Sequence, residues 1–173
     1  MKKYLFLIVF IFSTAGIFAQ ESTTTDETTT YYLIRHAEKQ RHDKTDRNPH
    51  LTSKGLKRAA HWATVLSSAN IEMVYSTDYN RTKETAEPTA KQNGLEIFLY
   101  NPRKMYDEGF QHNTKGKNVL VVGHSNTTPA FVNKILGEKK YKDIDDSNNS
   151  NLYVVTVTKE GVTSVVLKID LTE

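Results

Sequence analysis

The sequence contains no cysteine, only four prolines among its 173 residues, and no large excess of either charge. The absence of cysteine excludes disulfides, a thiolate nucleophile and cysteine ligands for a metal. Lysine and arginine together number 23, against 20 aspartates and glutamates. A nucleic-acid-binding surface needs clustered basic residues, so we expect no nucleic-acid partner.

A long apolar run occurs at the N terminus, in residues 4–12. It follows Lys2 and Lys3 and precedes small residues that end at Ala19. A basic start, a short apolar stretch and a small-residue site are typical of a secretory signal peptide. The run is short for a membrane span of about 20 residues, and an uncleaved anchor is the alternative. Residues 1–19 are therefore predicted to be a signal peptide. The mature protein is predicted to be secreted or periplasmic, without stable membrane association after cleavage.

Residues 20–30 are polar, rich in threonine and without an apolar period. Such a composition cannot bury enough apolar surface to fold, and it predicts a disordered tether. The remainder, residues 31–173, has the length of one domain with its own core.

From residue 31 onwards, apolar runs typical of strands alternate with helical patterns. Strands are predicted at 31–34, 71–75, 95–100 and 119–122, with a closing hairpin at 152–158 and 162–169. Helices are predicted at 52–68, 80–93 and 127–136, the first with an apolar face of Leu56, Ala59, Ala60, Ala63 and Leu66. This alternation predicts a three-layer α/β/α sandwich with a mostly parallel central sheet.

Polar side chains follow three of the predicted strands. Arg35 and His36 come directly after the first strand, Arg81 comes shortly after the second, and His124 follows the fourth. In a parallel sheet the carboxyl ends of the strands share one edge, and ligands bind there. We therefore expect two arginines and two histidines at one site.

This combination of residues suits a phosphoryl group. Arginine supplies forked donors that match phosphate oxygens. A histidine held in one tautomer can attack phosphorus and form a covalent intermediate, while further donors stabilise the charge on the phosphoryl oxygens. Taken alone, the residues predict an anion site.

Three segments resemble the signatures of the histidine phosphatase superfamily, which includes the cofactor-dependent phosphoglycerate mutases. They are residues 33–38, 75–86 and 121–126, and they occur in the same order as in that family. Alanine at position 37 resembles short phosphatase branches more than the mutases. The resemblance implies a phosphoglycerate mutase-like fold and a phosphatase that needs no metal and no cofactor.

The resemblance also implies roles for single residues. His36 is expected to be the nucleophile that becomes phosphorylated, and Arg35, Arg81 and His124 to complete the phosphate pocket. The substrate is further expected to meet the residues after the second histidine, Ser125 and Asn126.

Three carboxylates are candidates for the general acid that protonates the leaving oxygen. The family often draws this acid from the segment after the third strand, where Asp107 and Glu108 are available. Glu38 is a rival because it lies close to His36 in the chain. A purely structural role for Asp107 and Glu108, in a site without an acid, is the alternative.

Two further segments surround the predicted site. Lys39, Arg41 and Lys44 are expected to rim the pocket and to attract anions. The acidic run at 143–151 lacks the ligand spacing and glycine of a calcium loop, and it is interpreted as a solvated connector.

The leading hypothesis is a secreted, histidine acid phosphatase-like phosphoric monoester hydrolase acting on a small phosphorylated molecule. One alternative is a catalytically impaired phosphate-binding module of the same fold. Another is a phosphotransferase or mutase, which the short domain and the predicted location disfavour. Nothing in the sequence indicates the oligomeric state or the natural substrate.

Overall fold

The computed structural model of this chain describes residues 27–171. The predicted signal peptide lies outside the described residues, and so does the predicted tether up to residue 26. Between residues 27 and 171, no helix is long and apolar enough to cross a membrane.

The described part of the chain forms a six-stranded sheet with helices on both faces. The strands are β1 (Thr29–Arg35), β2 (Met73–Ser76), β3 (Ile97–Leu99), β4 (Asn118–Gly123), β5 (Asn151–Val157) and β6 (Val162–Lys168). The helices are α1 (Ser53–Val65), α2 (Asn80–Gln92), α3 (Glu108–Thr114) and α4 (Thr127–Leu136).

The strand order in the sheet is β3-β2-β4-β1-β5-β6. Strands β1 to β4 run parallel to one another, whereas β5 is antiparallel to β1 and β6 is antiparallel to β5. The apolar run in β4 lies between β2 and β1, and its residues 119–123 are all buried. The three-layer sandwich with a mostly parallel sheet is therefore confirmed.

The two layers of helices pack on opposite faces of β1. Leu33 belongs to a core cluster that contains Phe131 of α4, and the next residue, Ile34, belongs to a cluster that contains Trp62 of α1. Successive side chains of a strand point to opposite faces. A continuous apolar run in β1 therefore serves both layers.

Helix α1 begins where the sequence predicts, but its buried side is rotated from the predicted one. The Oγ1 of Thr52 accepts a hydrogen bond of 3.0 Å from the backbone N–H of Gly55 and caps the helix. Three residues of the predicted apolar face are buried, but Leu56 is 54% exposed and Ala60 is exposed as well. The reason is that Gly55 packs against the Glu38 backbone, where a Cβ would lie 2.2 Å from the carbonyl oxygen.

Strand β1 begins at Thr29, inside the segment predicted to be a tether. Thr29 is opposite Val157 of β5, and its Oγ1 accepts a hydrogen bond of 2.8 Å from the N–H of Gly116. Gly116 lies 87 residues further along the chain, and Val157 lies further still. The local composition of residues 20–30 therefore did not predict them.

Helix α3 was not predicted. It is only seven residues long and contains Gly109, so it shows no helical apolar period. Packing of Phe110 into the core beside Phe131, with ring centroids 5.2 Å apart, stabilises it instead.

Candidate active site

The polar ends of three parallel strands meet at one edge of the sheet, as the sequence predicts. Arg35 is opposite Gly123 in the last pair of β1 and β4, so His36 and His124 leave the sheet side by side. The centroids of the two imidazole rings are 5.5 Å apart. The predicted convergence of the two histidines is confirmed.

His36 is held as a single tautomer inside the protein. Its side chain is buried, and its Nδ1 lies 2.8 Å from the backbone carbonyl oxygen of Ala37. A carbonyl oxygen only accepts hydrogen bonds, so Nδ1 carries the ring proton and Nε2 keeps its lone pair. Nε2 is thus the nitrogen able to attack an electrophile.

The backbone around His36 is fixed from three directions. Its N–H donates to the carbonyl of Gly123 at 2.9 Å, and its carbonyl accepts from Nδ2 of Asn149 at 2.8 Å. The N–H of Ala37 donates to Oγ1 of Thr85 at 2.9 Å. These hydrogen bonds fix the backbone that carries the imidazole ring of His36.

The surroundings keep the imidazole of His36 neutral. Burial lowers the pKa of His36 to about 3, and the nearby charges of Arg35 and Arg81 add to the shift. The hydrogen bond to Ala37 opposes this shift without cancelling it. At neutral pH the side chain is therefore an uncharged nucleophile.

Arg35 is only 2% exposed, and its guanidinium is hydrogen-bonded to the segment before β5. Its Nη1 donates to three backbone carbonyls, those of Asp145 (2.8 Å), Asp146 (3.0 Å) and Asn148 (3.0 Å). Its Nη2 donates to the Asp146 carboxylate at 2.5 Å. The interpretation of this run as a mere solvated connector was wrong, because its backbone carbonyls turn inward onto Arg35.

Three buried nitrogen atoms of the two arginines have no acceptor in the described part of the chain: Nε of Arg35 and both Nε and Nη1 of Arg81. The carbon Cζ of Arg81 lies 4.3 Å from the centroid of the Tyr79 ring, which supports the guanidinium from one side. Buried charged donors without partners are strongly unfavourable. Their presence here indicates a site built for an anion.

His124 completes the pocket from the end of β4. Its N–H donates to Oγ1 of Thr127 at 2.9 Å, and its Nε2 lies 2.9 Å from Oγ1 of Thr77. Burial lowers the pKa of His124 to about 4, and the charges of Arg81, Arg35 and Lys39 contribute further. This histidine is therefore also neutral at pH 7.

The two residues after His124 have less defined positions in the site. The carbonyl of Ser125 accepts a hydrogen bond of 2.8 Å from the N–H of Ile144. Asn126 is exposed at the start of α4, and its side chain makes no capping hydrogen bond. Substrate binding by Ser125 and Asn126 stays a prediction.

Of the two carboxylates predicted after the third strand, Asp107 has a structural contact. The Asp107 carboxylate accepts a hydrogen bond of 2.9 Å from the N–H of Phe110 and caps α3. Asp107 and Glu108 are exposed and border a surface pocket shared with Met105 and Lys134. Within residues 27–171, neither carboxylate is hydrogen-bonded to His36 or His124. The assignment of the acid to either of them stays a prediction.

Glu38 is already paired. Nε and Nη2 of Arg58 donate to its carboxylate at 2.9 to 3.0 Å. Partial burial raises the pKa of Glu38, but the hydrogen bonds and charge of Arg58 outweigh burial and leave the pKa below its ordinary value. A carboxylate of this kind is ionised at neutral pH and is a poor proton donor.

Two of the three residues that were predicted to form a basic rim lie near the pocket. Arg41 forms an ion pair of 2.8 Å with Asp146, which also binds Arg35. Burial, with the nearby charges of Arg81 and Arg41, lowers the pKa of Lys39. Lys39 and Arg41 therefore add positive potential at the pocket, and a contribution of Lys44, which is exposed like Arg41, stays a prediction.

Sequence reasoning missed Asn149, Asp146 and the threonines behind the histidines. Asn149 and Asp146 lie in a polar run with no periodic pattern, so nothing local singled them out. The threonines did leave a signal. Thr82, Thr85 and Thr89 recur at helical spacing on the buried side of α2, and a stripe of small residues is typical of close backbone approach.

A family model of known proteins matches part of this chain. The model describes the histidine phosphatase superfamily (branch 1) and matches residues 31–101. The matched part contains Arg35, His36 and Arg81 and ends before His124. The resemblance to this superfamily is thus confirmed. A search of curated proteins finds no match.

Solved structures share the fold at low sequence identity. The protein histidine phosphatase SixA, complexed with tungstate, superposes with a TM-score of 0.65 at 17% identity, over 80% of this chain and 96% of that one. Mycobacterial glucosyl-3-phosphoglycerate phosphatase gives 0.60 at 11% identity, over 84% and 100%. A mutant phosphoserine phosphatase from Entamoeba histolytica, in complex with phosphoserine, gives 0.60 at 15% identity, over 79% and 95%. The family match supports phosphatase activity in general, and the different substrates in these names select none for this chain.

Proposed function

We propose that this chain is a phosphomonoesterase that works outside the cytoplasm and hydrolyses phosphate esters through a phosphohistidine on Nε2 of His36. The observation that carries the proposal is the set of three buried arginine nitrogens without acceptors, beside a neutral histidine with a fixed tautomer. Phosphoryl oxygens are acceptors of the charge and geometry that these groups require.

The chemistry proceeds in two displacements. In the first, the lone pair of Nε2 of His36 attacks phosphorus, and the ester P–O bond breaks with its electron pair leaving on the oxygen. The guanidinium groups of Arg35 and Arg81 stabilise the charge on the three phosphoryl oxygens during the transfer. The proton on Nδ1 stays in its hydrogen bond to Ala37.

In the second displacement, water attacks the phosphorus of the phosphohistidine. The P–N bond breaks, its electron pair returns to Nε2, and inorganic phosphate is released. Of the two water protons, one remains on the phosphate and the other neutralises the oxygen that left in the first step. His36 is thereby restored.

The leaving group decides how fast the first displacement is. Glu38 is ion-paired with Arg58, and Asp107 caps α3. Neither Asp107 nor Glu108 is hydrogen-bonded to His36 or His124 within residues 27–171, so we infer that the leaving oxygen departs as an anion. We therefore expect rates to rise steeply as the pKa of the leaving alcohol falls, so that aryl phosphates react faster than alkyl phosphates.

The central test uses an aryl phosphate, the purified protein and excess chelator. The protein is expected to hydrolyse the ester, vanadate to inhibit it, and His36→Ala to lower kcat/KM on the order of 10³-fold or more. The matched control is His112→Ala, which removes an exposed histidine of α3 and is expected to leave the rate unchanged.

Different outcomes select different functions. A protein that binds phosphate but turns over no faster than His36→Ala is a phosphate-binding module. A protein that gives a phosphoester of an added alcohol in place of phosphate is a phosphotransferase. An acid-sensitive, alkali-stable label on the wild-type protein after a pulse of labelled ester is expected, and its absence excludes the covalent route.

The proposed location rests on the basic and apolar pattern of residues 1–19. Expression of the full chain in a bacterium is expected to yield a mature protein beginning at Gln20 in the periplasm or medium. Mass spectrometry of the N terminus checks this. A product that retains residues 1–19 and sediments with membranes would favour an anchor.

A further inference from the structure

A groove lies beside the phosphate pocket, over the carboxyl ends of β2 and β3. It has a volume of about 500 Å³ and runs between Tyr79, the N-cap residue of α2, and residues 99–103 at the end of β3. Strands β2, β3 and β4 are parallel, so this is the end of the sheet from which His124 emerges. Ligands of parallel sheets bind beyond the carboxyl ends of the strands. The groove is therefore placed to receive the part of a substrate that extends out of the phosphate pocket.

Two residues line the groove and also contact the phosphate pocket. Oγ1 of Thr77 lies 2.9 Å from Nε2 of His124. The centroid of the Tyr79 ring lies 5.2 Å from the imidazole centroid of His124, and Cζ of Arg81 lies 4.3 Å from the Tyr79 centroid. A phosphoryl group bound by Arg81 and His124 is therefore adjacent to the groove, and its leaving group can extend along it.

Large apolar surfaces in the groove are open to water. Leu99 is 55% exposed and Tyr79 is 39% exposed, while Pro102, which also lines the groove, is partly buried. Single exposed apolar side chains are ordinary, whereas a group of them in a concave surface beside a polar site is typical of ligand binding. A flat apolar group would cover Leu99 and the exposed part of the Tyr79 ring.

The polar groups of the groove are poorly placed to bind a ligand rich in hydroxyl groups. The Asp78 carboxylate is ion-paired with Nζ of Lys83 at 2.7 Å, and the hydroxyl of Tyr100 is buried. Oδ1 of Asn101 accepts the backbone N–H of Arg103 at 2.9 Å, and the Arg103 side chain is exposed. A ligand with several hydroxyl groups needs partners that replace its hydration, whereas an aromatic ring needs none.

The chemistry of the proposed first displacement favours the same kind of leaving group. The leaving oxygen is inferred to depart as an anion, because neither Asp107 nor Glu108 is hydrogen-bonded to His36 or His124 within residues 27–171. A phenol is a much stronger acid than an alkyl alcohol, so a phenolate departs more readily. The lining of the groove and the chemistry therefore point to one substrate class.

We propose that the groove binds the leaving group of the ester, and that the substrates are phosphomonoesters of flat, apolar, aromatic alcohols that pack against Tyr79 and Leu99. This substrate class rests on the proposed function, because it assigns the leaving group of that same reaction. In the first displacement the P–O bond breaks with its electron pair on oxygen, and the phenolate formed lies in the groove until it dissociates.

The test uses phosphonates, in which a CH₂ or CH₃ group replaces the bridging oxygen, so that binding is measured without turnover. Methylphosphonate has no group that reaches the groove, whereas 2-naphthylmethylphosphonate carries a flat aromatic one. As competitive inhibitors of aryl phosphate hydrolysis, the naphthyl compound is expected to bind about 10-fold to 100-fold more tightly, the range for burying one aromatic group. A polar comparison, 3,4-dihydroxybutylphosphonate, is expected to bind within about threefold of methylphosphonate.

Two exposed leucines provide a matched pair of variants. Leu99→Ser removes apolar surface from the groove and is expected to lower the advantage of the naphthyl compound over methylphosphonate on the order of 5-fold to 10-fold. The inhibition constant of methylphosphonate itself is expected to stay within about threefold of the wild type, since the phosphate pocket is intact. The control is Leu56→Ser, at a leucine of α1 that is 54% exposed, and it is expected to leave both constants unchanged.

Several outcomes overturn the proposal. They are a naphthyl compound that binds no more tightly than methylphosphonate, a dihydroxybutyl compound that binds as tightly as the naphthyl one, and equal effects of Leu99→Ser and Leu56→Ser. If Leu99→Ser does not fold, the three inhibition constants of the wild type decide. A wild type that neither hydrolyses an aryl phosphate nor binds vanadate contradicts the proposed function as well. A wild type that does both without preferring the naphthyl compound contradicts the substrate class alone.

Discussion

The phosphate pocket and the start of α3 both carry ionisable side chains that the sequence analysis identified as candidate site residues. The two regions differ in whether the polar atoms of these side chains have hydrogen-bond partners. In the pocket, Arg35 and Arg81 keep buried N–H groups without acceptors. At the start of α3, Asp107 is exposed and its carboxylate already accepts the N–H of Phe110. Native proteins leave few buried polar groups unpaired. Two neighbouring arginines with unpaired, charged donors therefore indicate an anion site, whereas the helix cap already accounts for the position of the Asp107 carboxylate.

The largest expected effect comes from removing the unpaired donors at Arg81. Arg81→Met is expected to raise the inhibition constant of vanadate on the order of 100-fold or more, because several charged hydrogen bonds are lost. The free energy of unfolding without anion is expected to stay equal or to rise by up to about 1 kcal/mol, since an unpaired guanidinium is removed. Vanadate inhibition and urea unfolding measure the two quantities.

The control for Arg81 is Arg103→Met, at an exposed arginine beside α3. We expect it to leave vanadate inhibition unchanged. If Arg81→Met destabilises the anion-free protein by more than about 1 kcal/mol, Arg81 is a structural residue and the contrast between the two regions is wrong.

The next effect concerns one glycine in the helix beside each region, Gly55 of α1 near the phosphate pocket and Gly109 of α3. Gly55→Ala would place a Cβ 2.2 Å from the carbonyl oxygen of Glu38, two residues after His36. We expect this to destabilise the fold by roughly 3 kcal/mol or more and to lower turnover. Gly109→Ala, in the first turn of α3, brings a Cβ only to 3.6 Å from the Asp107 carboxylate and is expected to be neutral or stabilising.

Thermal unfolding of both glycine variants checks this pair. Equal stability of Gly55→Ala and Gly109→Ala would show that the packing of Gly55 against the Glu38 backbone is no closer than the packing of Gly109 against Asp107. Loss of turnover in a fully folded Gly55→Ala variant would instead locate its effect in the position of His36.

The pH dependence of stability is the third test, because the pocket holds two neutral histidines, of which His36 is buried and His124 is partly buried. The folded pKa values of His36 (about 3) and His124 (about 4) lie below the ordinary value of 6.5. The unfolded chain therefore takes up protons first as the pH falls. Stability is expected to be full above about pH 6.5 and to decline below it, by up to about 1.4 kcal/mol per pH unit for each histidine.

Urea unfolding between pH 7 and pH 5, without phosphate, measures this decline. His36→Asn is expected to make the slope shallower, since one of the two groups is removed. An unchanged slope in His36→Asn would contradict the conclusion that burial keeps His36 neutral.

The smallest effect is expected at Asp107. Asp107→Ala removes the α3 cap and is expected to destabilise the fold by about 1 kcal/mol, while Asp107→Asn keeps most of the cap. Both are expected to retain kcat within about threefold on an aryl and on an alkyl phosphate. A loss of 100-fold in Asp107→Asn on the alkyl phosphate would identify Asp107 as the general acid after all.

Most of the fold could be predicted because its elements have local signals. The apolar runs of β1 and β4 and the start of α1 are contained in a few neighbouring residues, and the structure confirms them. Helix α3 had no such signal, because a seven-residue helix with a glycine depends on the core packing of Phe110. The rotation of α1 was also missed, because it depends on how closely Gly55 approaches Glu38.

The sequence by itself determined which residues meet at the carboxyl edge of the sheet. Arg35, His36 and His124 directly follow parallel strands, and the alternation of strands and helices brings those strand ends together. Tertiary structure alone decided what holds these side chains in place. Arg35 donates hydrogen bonds to backbone carbonyls more than 100 residues away. His124 is hydrogen-bonded to Thr77, which follows another strand. Periodicity encodes which face a residue occupies, whereas a hydrogen-bond partner depends on the path of distant loops, and no local pattern records that path.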